Sequence, residues 1–293
     1  MSVWSFVATA ISKATGCNFT LKSKTPVAGG SISSAFRLES IDGRRYFLKL
    51  NTAKYHPMFL AEVAGLEAIS ATQTLLVPRP IALGVAVAQS FLILEFLNIH
   101  PLGDSILFGE QLARMHRYKS EQFGFSQDNF IGATPQHNTW KSDWITFWRD
   151  QRLGFQLHLA AENGYGSELQ RLGRNLQDVL PAYFDNYSPE PSLLHGDLWN
   201  GNCAFLKDGT PVLFDPANYF GDRECDVAMT ELFGGFAADF YTSYNAVWPL
   251  DYGYPLRRDL YNLYHLLNHG NLFGREYMLQ AELTMKKLLR SRG

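Results

Sequence analysis

Two short apolar runs constrain this chain more than anything else in it, because each reads as a core strand and each ends on residues with chemistry. Leu193-Leu194 runs into His195-Gly196-Asp197-Leu198-Trp199-Asn200-Gly201-Asn202, and Pro211-Val212-Leu213-Phe214 ends on Asp215. The spacing has a physical use in phosphoryl transfer. A hydroxyl nucleophile needs a carboxylate to orient it and take its proton, while an amide oxygen and a second carboxylate hold Mg²⁺ against the phosphates of ATP. Asp197 suits the first role, Asn202 and Asp215 the second. A structural reading also exists, in which Asp197 and Asn202 are turn residues of a polar loop. The pairing of His-x-Asp-x-x-x-x-Asn with a Phe-Asp at the end of the next apolar strand favours the kinase chemistry.

The same stretch, together with Phe214-Asp215-Pro216-Ala217 and Gly221-Asp222-Arg223-Glu224-Cys225-Asp226-Val227-Ala228-Met229, resembles the fructosamine kinase (ketosamine-3-kinase) family. Aminoglycoside phosphotransferases and choline kinases are its wider relatives. The resemblance runs over nearly the whole chain and implies an α+β, two-lobed protein-kinase-like fold. Residues 1–97 would form a small mixed α/β lobe and residues 98–293 a larger, mainly helical one, with ATP between them. It also implies an acceptor made of a sugar joined to an amine, phosphorylated at the sugar 3-hydroxyl. That phosphorylation makes a ketoamine unstable and would serve deglycation repair.

Composition removes other classes. With 293 residues, 46% hydrophobic and 18% charged, the chain can bury a large core. A formal net charge of −2, with Lys and Arg spread along the chain, lacks the basic stripe that nucleic-acid binding needs. Cys17, Cys203 and Cys225 include no Cys-x-x-Cys pair, which predicts free thiols in a reducing compartment and no structural zinc. The apolar region from Ile81 to Leu97 is broken by Gln89, Ser90 and Glu95, so it does not read as a membrane span. A cytoplasmic protein without a membrane partner is the expectation, and the oligomeric state stays open.

Along the N-terminal part, Trp4, Val7, Ala8 and Ile11 recur at helical spacing. Ala28-Gly29-Gly30-Ser31 is a small-residue turn between two alternating runs. Glycines there would let backbone N–H groups approach phosphates, and Ser31 could add a hydroxyl, but a plain hairpin turn predicts the same residues. Likeness to the family's loop favours the ATP-binding reading of Gly29, Gly30 and Ser31. Many family members carry Cys at the position of Ser31, so redox control there lacks its thiol in this chain. Lys49 sits in an apolar strand, where an ammonium requires a partner. In a kinase it binds phosphates and pairs with an acidic residue on the next helix. Glu62 is the first choice for that residue and Glu67 the second. Leu94, Glu95, Phe96 and Leu97 fall where a kinase hinge would hold adenine, although a buried strand would look the same.

In the C-terminal part, helices are expected over Asp104 to Tyr118, Glu168 to Leu180, Asp222 to Phe233, Leu256 to Leu267 and Arg275 to Leu289. Phe123 to Trp140 reads as a loop, and Trp140, Trp144, Phe147 and Trp148 as core packing on a continuing helix. His116 carries no assigned role. Asp226 is expected to bond backbone groups of the Asp197 loop. Trp199, Asp222 and Glu224 are candidate acceptor contacts, Trp199 as an aromatic face and the carboxylates for an amine; core burial and helix capping are the alternatives. A phosphotransferase for another amino-alcohol, such as an aminoglycoside or choline, is the rival enzyme. A non-catalytic nucleotide-binding module is disfavoured because Lys49, Asp197, Asn202 and Asp215 are all present.

Overall fold

The computed structural model describes residues 2–27 and 32–291. Gly29, Gly30 and Ser31 lie outside them. Two compact units divide the chain, Met1–Asp104 with Gly201–Pro216, and Ser105–Asn200 with Ala217–Gly293.

The first unit is built on a five-stranded antiparallel sheet. Helix α1 (Val3–Thr15) leads into β1 (Leu21–Val27), β2 (Ser34–Ser40) and β3 (Arg45–Thr52), followed by helix α2 (His56–Ala71), β4 (Pro80–Ala86) and β5 (Gln89–Glu95). The order β1-β2-β3-β5-β4 makes β3 the central strand. Strand periodicity of two then sorts its side chains. Leu48 and Leu50 enter a core with Val7 and Ile11 of α1, Leu38, Phe91 and Ile93, and Lys49 therefore points to the opposite face. On α2, Phe59, Leu66 and Ile69 are buried.

Residues 98–104 and 201–216 group with this unit, whereas the sequence reading placed everything beyond residue 97 in the other lobe. Backbone bonding explains the difference. The hairpin of Cys203–Phe205 and Pro211–Leu213 bridges in parallel to Leu76 through Val212, and His100 exchanges two backbone bonds with Phe205, at 2.7 and 2.9 Å.

The second unit is mainly helical: α3 (Ser105–Met115), α4 (Trp144–Phe147), α5 (Phe155–Glu162), α6 (Ser167–Val179), α7 (Glu224–Leu232), α8 (Ala238–Val247), α9 (Tyr254–Phe273) and α10 (Arg275–Arg290). Most of these follow the expected spans, and α8 is additional. The Phe123–Trp140 loop contains a small strand pair, Asn129–Ile131 with Thr134–Gln136. The helix expected to continue from Trp144 widens into a π-helix over Trp148–Gly154. Widening turns Gln151 and Arg152 inward, where they bond the carbonyls of Thr139 and His137 at 2.7 and 2.6 Å. Trp144, Phe147 and Trp148 are buried as expected, whereas Trp140 precedes the helix and is exposed, which corrects its place in the core. Among the described residues, no helix is long and apolar enough to cross a membrane.

Candidate active site

In the first unit the sheet and α2 bring two of the expected residues together. Lys49 Nζ donates to Glu62 Oε1 at 2.7 Å across a separation of thirteen residues, and it also donates to Asp215 Oδ1. Glu67, the second choice, is exposed, five positions further round α2. Burial works against the Lys49 ammonium, but Asp215 and Glu62 outweigh it and hold it above the ordinary lysine range. Burial pushes the Glu62 carboxyl up, Lys49 opposes this and Asp215 adds to it, leaving Glu62 at about 7.

The hairpin explains why Asn202 and Asp215 share one end. Cys203 is opposite Leu213, and Phe214 N donates to Asn202 O at 3.1 Å, so the residues that precede and follow the hairpin emerge side by side. Asn202 is buried and Asp215 is exposed, its backbone at φ 56. Left-handed backbone is uncommon outside glycine and least costly for Asp and Asn, and here it turns the carboxylate out of the strand direction. Two hard oxygen donors at one end of a hairpin match what Mg²⁺ takes from protein when phosphates supply the remaining ligands. Among the described residues, no group of three or more His, Cys, Asp or Glu could hold a metal ion. Leu94 is buried and Glu95 ends β5; Phe96 and Leu97 leave the ladder half-buried, and the Glu95 N–H already serves Arg79 O at 2.9 Å.

In the second unit the Asp197 loop is held from behind by buried groups. Asp226 accepts the backbone N–H groups of His195 and Gly196 at 2.7 and 2.8 Å, the role expected of it, and also contacts His116 Nε2 at 3.1 Å. His116 Nδ1 in turn lies 2.8 Å from the Tyr244 hydroxyl. Burial would raise the Asp226 carboxyl, yet these partners hold it below its usual range. Burial also pushes His116 below the ordinary imidazole range. Gly196 lies at φ +84, and a Cβ there would come within 2.1 Å of Ala217 O, so only glycine fits. Asn218 Nδ2 reaches Leu194 O at 2.7 Å, while Asn129 and Gln136 bind the carbonyls of Asn218 and Ala217 at 2.7 and 2.9 Å. Asp197 is half-buried, and its N–H donates to His195 Nδ1 at 3.2 Å.

Three acceptor candidates separate here. Trp199 is 39% exposed and meets Phe233 edge to face, with centroids 6.3 Å apart. Asp222 and Glu224 are fully buried, which corrects the expectation that they face an acceptor. Asp222 accepts the hydroxyls of Tyr187, at 2.8 Å, and Tyr261, and it caps the Glu224 N–H at 3.0 Å. Glu224 is bound by Arg257 at 2.7 and 3.0 Å. Carboxylates this deep persist because hydroxyls and a guanidinium replace water, and such partners leave them structural work. A single His just past a helix end, as His116 is, has no sequence signature apart from the residues it meets.

Comparison with known proteins extends this geometry. The family model described as fructosamine kinase matches residues 3–291. A Vibrio parahaemolyticus protein named probable ketoamine kinase is 43% identical over 98% of this chain and 99% of its own. The chloroplastic protein-ribulosamine 3-kinase of Arabidopsis thaliana is 42% identical over 90% of this chain and 82% of its own. A crystal structure described as a fructosamine-3-kinase from Haemophilus somnus superposes with a TM-score of 0.89, at 29% identity, covering 98% of this chain and 97% of that one. The fold is the protein-kinase-like one expected.

Proposed function

The chain belongs to the fructosamine kinase family, whose members pass phosphate to a hydroxyl, and from that premise we propose that it transfers the γ-phosphoryl group of ATP to the sugar 3-hydroxyl of a ketosamine. The observation that carries the reading is Lys49 held between Glu62 and Asp215. That ammonium is fixed in place and charged, ready to meet phosphate oxygens. Asp197 orients the acceptor hydroxyl and takes its proton as the hydroxyl oxygen bonds to the γ-phosphorus and the bond to ADP breaks. Asn202 and Asp215 would hold Mg²⁺, which when bound would neutralise charge on the phosphates. Half-exposed Trp199 gives the sugar or the amine an aromatic face. Leu94 to Leu97 take the adenine, and Gly29, Gly30 and Ser31 cover the phosphates. The phosphorylated ketoamine then decomposes, which places the enzyme in deglycation of free or lysine-bound ketosamines.

The experiment is ADP release with ATP and Mg²⁺ over an acceptor panel of ribulose-lysine, fructose-lysine, the free ketoses, choline and an aminoglycoside. Release that requires a ketosamine supports the reading. Equal kcat/KM for ketosamines and free ketoses, or a preference for choline or the aminoglycoside, overturns it.

A further inference from the structure

The second unit contains a cleft that none of the phosphoryl chemistry uses. It measures about 610 Å³, and its lining includes Glu231, Tyr241, Asp251, Tyr252, Tyr254 and the Gly234-Gly235 turn. One end is tied to the Asp197 loop. Asn200 Nδ2 donates to Gly235 O at 2.9 Å, and Phe233, which Trp199 meets edge to face, directly precedes Gly234. Gly234 and Gly235 both have left-handed φ, +95 and +74, so the turn presents bare backbone where a side chain would be strained.

Lining chemistry is one-sided. Two carboxylates and three tyrosines face the cleft, and no Lys or Arg is among its lining residues. The carboxylates are fixed by groups outside the lining: Arg257 holds Asp251 at 2.6 Å and Arg258 holds Glu231 at 2.9 Å. Tyr254 hydroxyl adds a bond to Glu231. Fixed carboxylates and aromatic faces suit a cation on a flexible stem, which gains charge and ring contacts without ordering the site further. Tyr252 is 82% exposed, so its ring is open to a ligand.

We propose that this cleft receives the carrier of the ketosamine, the amine-side substituent, and selects carriers with a second cation beyond the ketosamine nitrogen. The inference rests on the ketosamine reading above. Three sources share that chemistry: a glycated diamine, a glycated free lysine that keeps its α-ammonium, and a glycated lysine beside a basic residue in a polypeptide. A lysine inside a neutral peptide has lost the α-ammonium to an amide and lacks the second charge.

The test compares one sugar, ribulose or fructose, on three carriers: pentylamine, 1,5-diaminopentane and 6-aminohexanoate. KM should be about three- to tenfold lower for the diamine than for pentylamine and highest for the acid, with kcat unchanged, and the spread should shrink in salt. Tyr252→Lys, at an exposed position outside the packing core, should abolish or invert the preference with kcat retained; Tyr252→Ala should reduce it. Glycated lysine, its Nα-acetyl form and a glycated Lys-Arg peptide then tell the sources apart: a low KM only for free lysine points to a metabolite, and one restored in the peptide to protein. Equal KM for the three simple carriers, or a preference unmoved by Tyr252→Lys, overturns the cleft's role while turnover of pentylamine ketosamine leaves the kinase reading intact. No turnover of any carrier overturns both.

Discussion

The Lys49 group of the first unit and the Asp226 group of the second are both polar clusters knit by charge and hydrogen bonds, yet they are built on opposite terms. Lys49 is shared by two carboxylates, one on the exposed Asp215 and the other, Glu62, held up at about 7, where it gains or loses its proton near neutrality. Asp226 is enclosed, and its oxygens meet two backbone N–H groups and an imidazole. The first cluster has charge to rearrange when phosphates or a cation arrive. The second has every bond made and nothing to gain from a ligand. A site that binds charge and a scaffold that fixes a loop thus differ in whether their electrostatics close without a partner.

The most direct way to break the comparison is to remove one carboxylate from the Asp197 loop and one from behind it. Asp197→Asn should lower kcat on the order of 10²–10⁴-fold with stability unchanged. Near-normal turnover would refute its role as base. Asp226→Ala should instead cost roughly 3–5 kcal/mol of stability, because two backbone N–H groups are stranded in the interior. Urea unfolding with an unchanged m-value measures that loss. If Asp226→Ala kept full stability and lost only kcat, the scaffold assignment would fail. On the Lys49 side, Lys49→Ala should raise the KM for ATP and lower kcat, and Glu62→Ala should do less, on the order of tenfold in kcat/KM, about 1.4 kcal/mol. A silent Glu62→Ala would mean that Asp215 alone places the lysine.

Sequence made the first cluster legible and the second only in part. Lys49 in an apolar strand demands a partner, and the helix that follows supplies Glu62, so local pattern and separation suffice. Asn202 and Asp215 are legible for a like reason, since a short hairpin carries both. His116 meets Asp226 across 110 residues and Tyr244 across 128, and no periodicity encodes such a meeting. Tyr244 lies on α8, the helix the sequence reading passed over, where mixed polar and aromatic residues hide the apolar stripe. Asp222 and Glu224 carry a misleading signal for a related reason. Acidic residues next to a phosphotransfer motif suggest an acceptor site, and only Tyr187, Tyr261 and Arg257, all distant in the chain, show that their oxygens are already engaged.

The smallest expected effect is also the one that sets the two units against each other most cleanly, through acid. Buried His265 of α9 is pushed down to about 3 by desolvation and by His269, and His116 is lowered as well. An imidazole with a depressed folded pKa binds its proton mainly in the unfolded chain. Its contribution is therefore fully present above about 6.5 and is lost as pH falls, at a limiting slope of about 1.4 kcal/mol per pH unit per group. Glu62 has the opposite sign. With a folded pKa of about 7 against an unfolded value near 4.5, its contribution is complete at low pH and declines as pH rises toward 7. Between pH 4.5 and 6.5 the histidines of the second unit and the glutamate of the first pull the stability curve in opposite directions. Urea midpoints across that window should then rise more steeply with pH in Glu62→Gln than in the parent, because the opposing carboxyl is gone, and less steeply in His265→Gln. Parallel curves for all three proteins would show that neither group titrates differently on folding.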